Sequence, residues 1–340
     1  MGTPMHVLVC GGAGYIGSHM VKTLLEHGHA PLVFDNLSTG HAEAVPEDLL
    51  VRGDLRDKSA LRRVLAEHTF DAVMHFAAKS IVAESVTHPA DYYENNVTGT
   101  LNLLEAMHEQ GVGRFVFSST AAVYGNPVPD AARSTCGTGT DGHIDESCSL
   151  SPLNPYGRTK LQVEQALGDF ASAYGFRSVS FRYFNAAGAD PSGEIGESHD
   201  PESHLIPNIF KAILGTGPEL RLFGDDYDTP DGTCVRDYIH VNDLADAHLR
   251  ALSFMNDHEG AHVFNLGNGN GFSVRQMVET AERIAGQPVP HSMAPRRPGD
   301  AATLVADSTK AKAVLGWQPR HTDVHELMET AWRWHNEQKF

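Results

Sequence analysis

His6-Val7-Leu8-Val9-Cys10 runs straight into Gly11-Gly12-Ala13-Gly14-Tyr15-Ile16-Gly17, and the residues from Ser18 to His27 then read as a helix. A short unbroken apolar run fits a strand buried on both faces. Strand, glycine turn and helix in that order make a dinucleotide-binding unit, whose glycines let the backbone approach a pyrophosphate at the helix N-terminus. Gly11, Gly14 and Gly17, with Tyr15 and Ile16 among them, are therefore the expected phosphate cradle. Their spacing is Gly-x-x-Gly-x-x-Gly, a variant of the more familiar Gly-x-Gly-x-x-Gly.

The same rhythm continues downstream. Pro31-Leu32-Val33-Phe34-Asp35 reads as a second strand, and Asp35 follows Gly17 at the interval expected of a carboxylate that accepts from an adenosine 2′-hydroxyl. Such a carboxylate repels a 2′-phosphate, which selects NAD over NADP. A third strand around Leu49 to Arg52 leads to Asp54, where side chains flank the adenine. A fourth, Phe70 to Phe76, ends in Ala77-Ala78-Lys79, small residues that leave room for a cofactor at a strand's carboxyl end. Tyr92 to Glu109 reads as a long helix, with Asn95 and Asn96 inside it capping a neighbouring backbone. Arg114-Phe115-Val116-Phe117 is a fifth strand, followed by Ser118-Ser119-Thr120, and Ser178 to Phe184 a sixth. The fold expected is α/β, a Rossmann-type doubly wound parallel sheet with a smaller mixed α/β lobe that binds the substrate. Residues 5–184 and about 235–262 are assigned to the sheet domain, and 185–234 and 263–340, including Val263 to Gly267, to the lobe.

Composition limits what such a protein can do. The 340 residues carry 43 acidic against 26 basic side chains, a formal charge of −17. That balance argues against broad nucleic-acid or anionic-membrane binding, so an anionic ligand must be gripped by a few placed arginines. Arg236, Arg296 and Arg297, beside glycine and proline turns, are the candidates for a second diphosphate, with surface ion pairing as the plainer reading. No apolar run spans a bilayer, and the first residues lack a signal peptide's pattern, which points to the cytoplasm. Cys10, Cys136, Cys148 and Cys234 form no Cys-x-x-Cys and are read as reduced. Twenty histidines occur without a His-Glu-x-x-His or similar spacing, and Cys136, His143 and Cys148 match no zinc pattern, so no metal is expected.

The chemistry centres on Tyr156-Gly157-Arg158-Thr159-Lys160. Residues four apart share a helix face, about 6 Å apart at Cβ, so the ammonium is expected to lower the phenol pKa and favour the phenolate. Asn154 and Pro155 supply an N-cap and a first-turn proline. Tyr-x-x-x-Lys also arises by chance on ordinary helices, so its weight depends on company. Thr120 can donate to a substrate oxygen or to that phenolate, although a serine-rich turn can also cap its own backbone. The stretch 126–153, rich in Pro, Gly, Thr and Asp, is expected as a binding loop at the site mouth.

Taken together, several segments resemble the UDP-glucose 4-epimerase (UDP-galactose 4-epimerase) group of the extended short-chain dehydrogenase/reductase family. They are Gly11 to His19, Asp35-Asn36-Leu37, Tyr92-Tyr93-Glu94-Asn95-Asn96-Val97, Arg182-Tyr183-Phe184-Asn185, Val235-Arg236-Asp237-Tyr238-Ile239-His240 and Pro295-Arg296-Arg297-Pro298-Gly299-Asp300. The resemblance covers nearly the whole chain. It implies a homodimeric isomerase with tightly bound NAD that inverts C4 of a UDP-sugar through transient oxidation. Tyr156 would then be the acid/base, Lys160 its electrostatic partner and a ribose contact, and Thr120 a hydrogen-bond partner of O4.

The same likeness implies that Asn36, Asp54, Leu55, Phe76, Ala77, Ala78, Asn96, Ser118 and Tyr183 line the cofactor. For the UDP-sugar it implies Asn185, His204, Leu205, Leu222, Phe223, Arg236, Tyr238, Arg297 and Asp300, with Leu304 gating N-acetylated sugars. Ser80 replaces a lysine that touches NAD in some relatives, with Lys79 its neighbour. Stretch 126–153 carries an insertion of about a dozen residues. Competing readings are an epimerase of UDP-N-acetylhexosamines or UDP-glucuronate, and a non-catalytic NAD-binding regulator on the same fold. Dehydratases and decarboxylases of related type need an acid just after the hydroxyl residue, where this chain has Ala121 and Ala122.

Overall fold

The computed structural model describes residues 3–126, 142–297 and 300–340. The opening run is β1 (His6–Cys10), followed by α1 (Tyr15–Glu26), β2 (Ala30–Asp35), β3 (Leu50–Arg52), α2 (Lys58–Glu67) and β4 (Ala72–His75). Then come α3 (Val82–Thr87), α4 (Pro89–Tyr92), a π-helical segment (Tyr93–Thr98), α5 (Gly99–Glu109), β5 (Arg114–Ser118), α6 (Pro155–Tyr174) and β6 (Arg177–Tyr183). The second part comprises β7 (Asn185–Ala187), α7 (Leu205–Leu214), β8 (Leu220–Phe223), β9 (Val235–Arg236), β10 (Tyr238–His240), α8 (Val241–Asp257) and β11 (Gly260–Leu266). It ends with β12 (Phe272–Ser273), α9 (Val274–Ala285), β13 (His291–Ala294), β14 (Thr303–Leu304), α10 (Thr309–Leu315) and α11 (Val324–Asn336).

Seven strands form one parallel sheet in the order β11-β6-β5-β4-β1-β2-β3. Alternation along β1 explains the unbroken apolar run, because successive side chains enter opposite layers. Val7 and Val9 pack under Met20 and Leu24 of α1 and Leu244 and Leu252 of α8. Leu8 and Cys10 pack under Leu61 and Leu65 of α2, Leu103 and Met107 of α5, and Val163 and Leu167 of α6. The strand order reverses between β1 and β4, and a crevice at the carboxyl ends of two such strands is where doubly wound sheets take ligands.

One expectation is corrected here. Val263 to Leu266 belong to β11, which pairs residue for residue with β6 from Gly260↔Arg177 to Leu266↔Tyr183 and so forms the seventh strand of the large sheet. Its apolar character does not say which sheet receives it, since the partner lies some eighty residues back in the chain.

The smaller lobe is assembled from short pairings: β8 with β13, β9 with β12 and β14, and β7 with β10. Its core brings together Ile209 and Phe210 of α7, Met277 and Ala281 of α9, and Leu327 and Met328 of α11. A fourth apolar cluster bridges the site mouth, where Val123, Tyr124, Ile144 and Cys148 meet Leu161, Phe184 and Leu304.

Candidate active site

At the reversal point the glycines are required by space as well as by conformation. Gly11 has φ +77°, and a Cβ there would stand 2.5 Å from Ala77 N and 2.6 Å from the Phe76 carbonyl carbon. A Cβ on Gly17 would lie 2.1 Å from the Gly11 oxygen, so α1 starts in direct contact with the turn. Gly14 differs, because a Cβ there meets only the Gly11 oxygen, at 3.5 Å. It is the N-cap of α1, with no side-chain cap and no acidic residue in the first turn, so the first N–H groups face a clear approach. That is an anion cradle, and it fits a pyrophosphate.

Asp35 holds the same turn together. One carboxylate oxygen accepts from Ala13 N at 3.0 Å and the other from Leu37 N at 2.8 Å, while burial raises its pKa. Leu37, just beyond it, has φ +57°, a conformation that costs a branched side chain free energy and recurs at ligand sites. Asn36 donates to Asp54, whose carboxyl is held well below the usual range by the Arg56 guanidinium. Leu55 is buried in the sheet core, where its carbonyl accepts from Asn102. Tyr15 donates from its hydroxyl to the Gly188 carbonyl at 2.6 Å, and Ile16 packs onto the core beneath α1.

Helix α6 begins as its sequence dictates. Asn154 caps it by accepting from Gly157 N at 2.9 Å, and Pro155 occupies the first turn. A Cβ on Gly157 would be 2.7 Å from the Ala122 carbonyl oxygen, so the helix start presses on the turn that follows Thr120. Thr120 accepts from Ala122 N at 3.1 Å, which leaves its O–H free to donate, and Tyr156 is the hydroxyl it serves. Lys160 is buried, with Nζ 5.8 Å from the Tyr156 ring centre and 4.8 Å from that of Phe117, and donates to the Ser118 carbonyl at 2.6 Å.

Electrostatics here correct the sequence expectation. Burial raises the Tyr156 pKa, and the hydrogen bond from Thr120 opposes the rise without reversing it. Burial also pushes the Lys160 ammonium down to about 7, with Glu164 acting against that fall. The price of desolvation, a tertiary effect, outweighs the helical proximity from which a lowered phenol was expected.

Sequence reasoning found the asparagines of the long helix but missed how they are aimed. The π-helical segment turns both toward the chain after β4: Asn95 donates to the Ala77 carbonyl at 3.1 Å. Asn96 accepts from Lys79 N at 2.8 Å and donates to the Lys79 carbonyl and to Thr159 Oγ1. Extra residues in a helical turn of this kind recur at functional sites. Lys79 itself turns its ammonium to Glu84, 3.5 Å away, and over the Tyr92 ring. Ser118 Oγ is in short contact with the Tyr183 hydroxyl, which joins two residues expected beside the cofactor.

Also missed was a buried polar chain behind the hydroxyl residues. Ser119 donates to Glu164, Glu164 pairs with Arg182, and Arg182 donates to Tyr124. Tyr124 in turn donates to Asn265, which donates to the Ile144 carbonyl. Glu164 lies four residues after Lys160, so helical spacing alone could have flagged it.

On the other side of the crevice Arg236 donates to the Val235 and Ala301 carbonyls, and its Nη2 is 4.0 Å from Asp300. Leu304 sits opposite Arg236 in the β9–β14 pairing and packs against the Val123 and Tyr124 cluster, linking the arginine to the Thr120 turn. Arg297 lies over the Phe223 ring at 3.9 Å, and Asn185 donates to the Asp237 carbonyl. Arg296 is already engaged by Asp226 and Tyr227. Leu222 and Tyr238 are buried and pack into the small-lobe core. His204 caps α7 ahead of Leu205 and is drawn against Glu197.

Of the 126–153 stretch, residues 127–141, including Cys136, lie outside those described. Ile144 bridges Ala306 and exchanges backbone hydrogen bonds with Val305 and Asp307, so the end of the stretch docks beside β14. Cys10 and Cys234 are free and buried. Cys148 is disulfide-bonded, which corrects the reading of four reduced thiols.

Residues 7–267 match the model of the NAD dependent epimerase/dehydratase family. The chain is 49% identical over 333 residues to a UDP-glucose 4-epimerase of Halalkalibacterium halodurans, covering 98% of this chain and 96% of that one. It superposes on the crystal structure of UDP-glucose 4-epimerase from Brucella ovis in complex with NAD with a TM-score of 0.90 and 47% identity, over 96% of this chain and 97% of the other. A UDP-glucose 4-epimerase from Bifidobacterium longum in complex with NAD+ and UDP matches with a TM-score of 0.88 and 38% identity, over 98% of each chain.

Proposed function

The chain belongs to the NAD dependent epimerase/dehydratase family, and from that premise we propose that it interconverts UDP-galactose and UDP-glucose by inverting C4 with tightly bound NAD. The observation that carries the reading is the Thr120 hydroxyl directed to Tyr156, followed by Ala121 and Ala122. A proton can be moved there at one sugar hydroxyl, and no acidic side chain stands behind it to eliminate water.

NAD would rest against the Gly11 to Gly17 turn, Asp35, Phe76 to Ala78, Asn96, Ser118 and Tyr183, and when bound it supplies a reversible two-electron acceptor for the carbinol at C4. Tyr156 takes the proton from O4 and later returns it. Thr120 donates to that oxygen or to the phenolate, whichever carries the charge, and Lys160 favours the phenolate while protonated. Between the two transfers the 4-keto sugar must present its other face, so the diphosphate is held while the sugar turns. Arg236, Arg297, Asp300 and Asn185 are assigned that grip, which supplies binding energy remote from the reacting carbon. Leu304, intermediate in size, is assigned to the sugar end, and UDP-N-acetylhexosamines are the second substrate class to assay.

Among the described residues no helix is long and apolar enough to cross a membrane. A cytoplasmic homodimer is our reading from the family likeness. The deciding experiment mixes purified protein with UDP-galactose, without added NAD, and follows UDP-glucose. Conversion supports the reading; no conversion by protein shown to contain NAD overturns it in favour of another sugar or a non-catalytic role.

A further inference from the structure

The loop between β7 and α7 gathers Glu197, His199, Glu202 and His204, spaced Glu-x-His-x-x-Glu-x-His, with one donor atom from each all within 4.8 Å of one another. Glu197 Oε1 is 3.3 Å from His199 Nδ1 and in closer contact with His204 Nδ1, and Glu202 Oε2 is 3.6 Å from His199 Nδ1. Donors around a tetrahedral ion with bonds of roughly 2.0–2.1 Å stand roughly 3.3–3.4 Å apart. The two His199 pairs, at 3.3 and 3.6 Å, come near this, while His204 and Glu197 stand closer together and must part slightly to share an ion. Both carboxylates are buried, with side-chain exposures of 5% for Glu197 and 3% for Glu202.

Glu202 supplies the second observation. Its Oε1 is fixed by Ser203 N at 2.8 Å and His204 N at 2.9 Å, which aims Oε2 into the cluster. Buried Oε2 has no hydrogen-bond partner, and a buried carboxylate oxygen is rarely left so. Two protonated imidazoles facing two carboxylates would balance charge, but His199 stands 3.6 Å from that oxygen, too far for a good hydrogen bond. A divalent cation balances the two carboxylates with both imidazoles neutral and gives every donor a partner.

We propose that these four side chains bind a structural zinc ion. A set of two imidazole nitrogens and two carboxylate oxygens suits zinc better than ions that demand six oxygen ligands. Four protein ligands close the coordination sphere, so the ion has no open position for catalysis. Its work is to fix the loop. Glu197 also accepts from Trp334 Nε1 through its carbonyl at 2.8 Å, and the His199 ring meets Tyr15 edge-on with centres 6.3 Å apart. The ion would thus brace the start of α7 against α11 and the glycine turn. His204, bound through Nδ1, keeps half its side chain exposed (52%), so its expected substrate contact is not lost.

The test uses the full chain produced without a polyhistidine tag, stripped with a chelator and titrated with zinc alone against a competing chromophoric chelator. The expected result is about one tight zinc ion per chain, and a tetrahedral Co(II) spectrum on substitution. His199→Ala and the near-isosteric Glu202→Gln should each weaken binding by more than the roughly 10–100-fold that loss of an outer-shell partner costs, whereas His88→Ala, far along the chain, should not. Circular dichroism and retained NAD establish that the variants fold. Failure of the folded wild type to reach stoichiometric binding, or equal binding by all three variants, would overturn the proposal.

Discussion

Glu164 and Arg182 form an ion pair in which each side chain is only 5% exposed, one helical turn beyond Lys160. Ser119 and Tyr124 occupy its flanks, so the pair is continuous with the turn that carries Thr120. Removing one partner strands the other charge away from water, a loss of about 3–5 kcal/mol. Glu164→Gln should therefore lower the unfolding free energy by that amount in urea titrations. It should also lower the Lys160 pKa further, because Glu164 holds it up. An unchanged midpoint would mean the pair contributes no net stability.

Tyr156 and Thr120 separate by their chemistry. Tyr156→Phe keeps the ring and removes the proton carrier, so turnover of UDP-galactose should fall by about 10² or more while NAD remains bound. Thr120→Ser keeps the hydroxyl and should stay near the parent rate. Thr120→Val, the same shape without the donor, should approach the phenylalanine variant. Steady-state rates with bound NAD quantified in each sample make the comparison, and a fully active Tyr156→Phe would remove the tyrosine from its assigned role.

Lys160 leaves a pH signature in stability. Burial takes its pKa from 10.5 to about 7, so between those values the unfolded chain binds a proton that the folded chain does not. Stability contributed by this residue therefore rises with pH across that window, and the full penalty applies below about 7. Lys160→Met should be more stable than the parent at pH 6, by an order of a few kcal/mol, and the advantage should shrink toward pH 10. Paired denaturation curves across pH check this. A difference that stays constant with pH would mean the amine titrates normally.

What the sequence disclosed was local. Gly11, Gly14 and Gly17 lie within seven residues, and Asp35 follows at a fixed interval, so the glycine turn and the acid beside it could be read directly. Tyr156 and Lys160 were joined by helix periodicity. What stayed hidden depends on pairings far apart in the chain. The Asn96 to Thr159 bond spans 63 residues, and β11 finds its place only against β6. The raised Tyr156 pKa was misjudged because the ammonium is a neighbour in sequence while the surroundings that desolvate both groups are not. The motif around Tyr238 likewise does not show that its ring packs into the small-lobe core.

Gly11 and Gly28 offer a controlled comparison, since both have φ +77°. Around Gly28 a Cβ would meet nothing within 4 Å, so Gly28→Ala should cost only the left-handed strain of about 1–2 kcal/mol and leave NAD in place. At Gly11 the same methyl would lie 2.5 Å from Ala77 N, against backbone at the end of β4 that no rotamer change can move. Relieving the contact means parting the turn from the strand end, and those are the two surfaces between which the cofactor is expected. Gly11→Ala should therefore be destabilised by more than Gly28→Ala and should also be purified with little NAD, read by absorbance and fluorescence of the extracted dinucleotide. Equal NAD content in the two variants would show that the β1–β4 approach can relax without disturbing the cofactor.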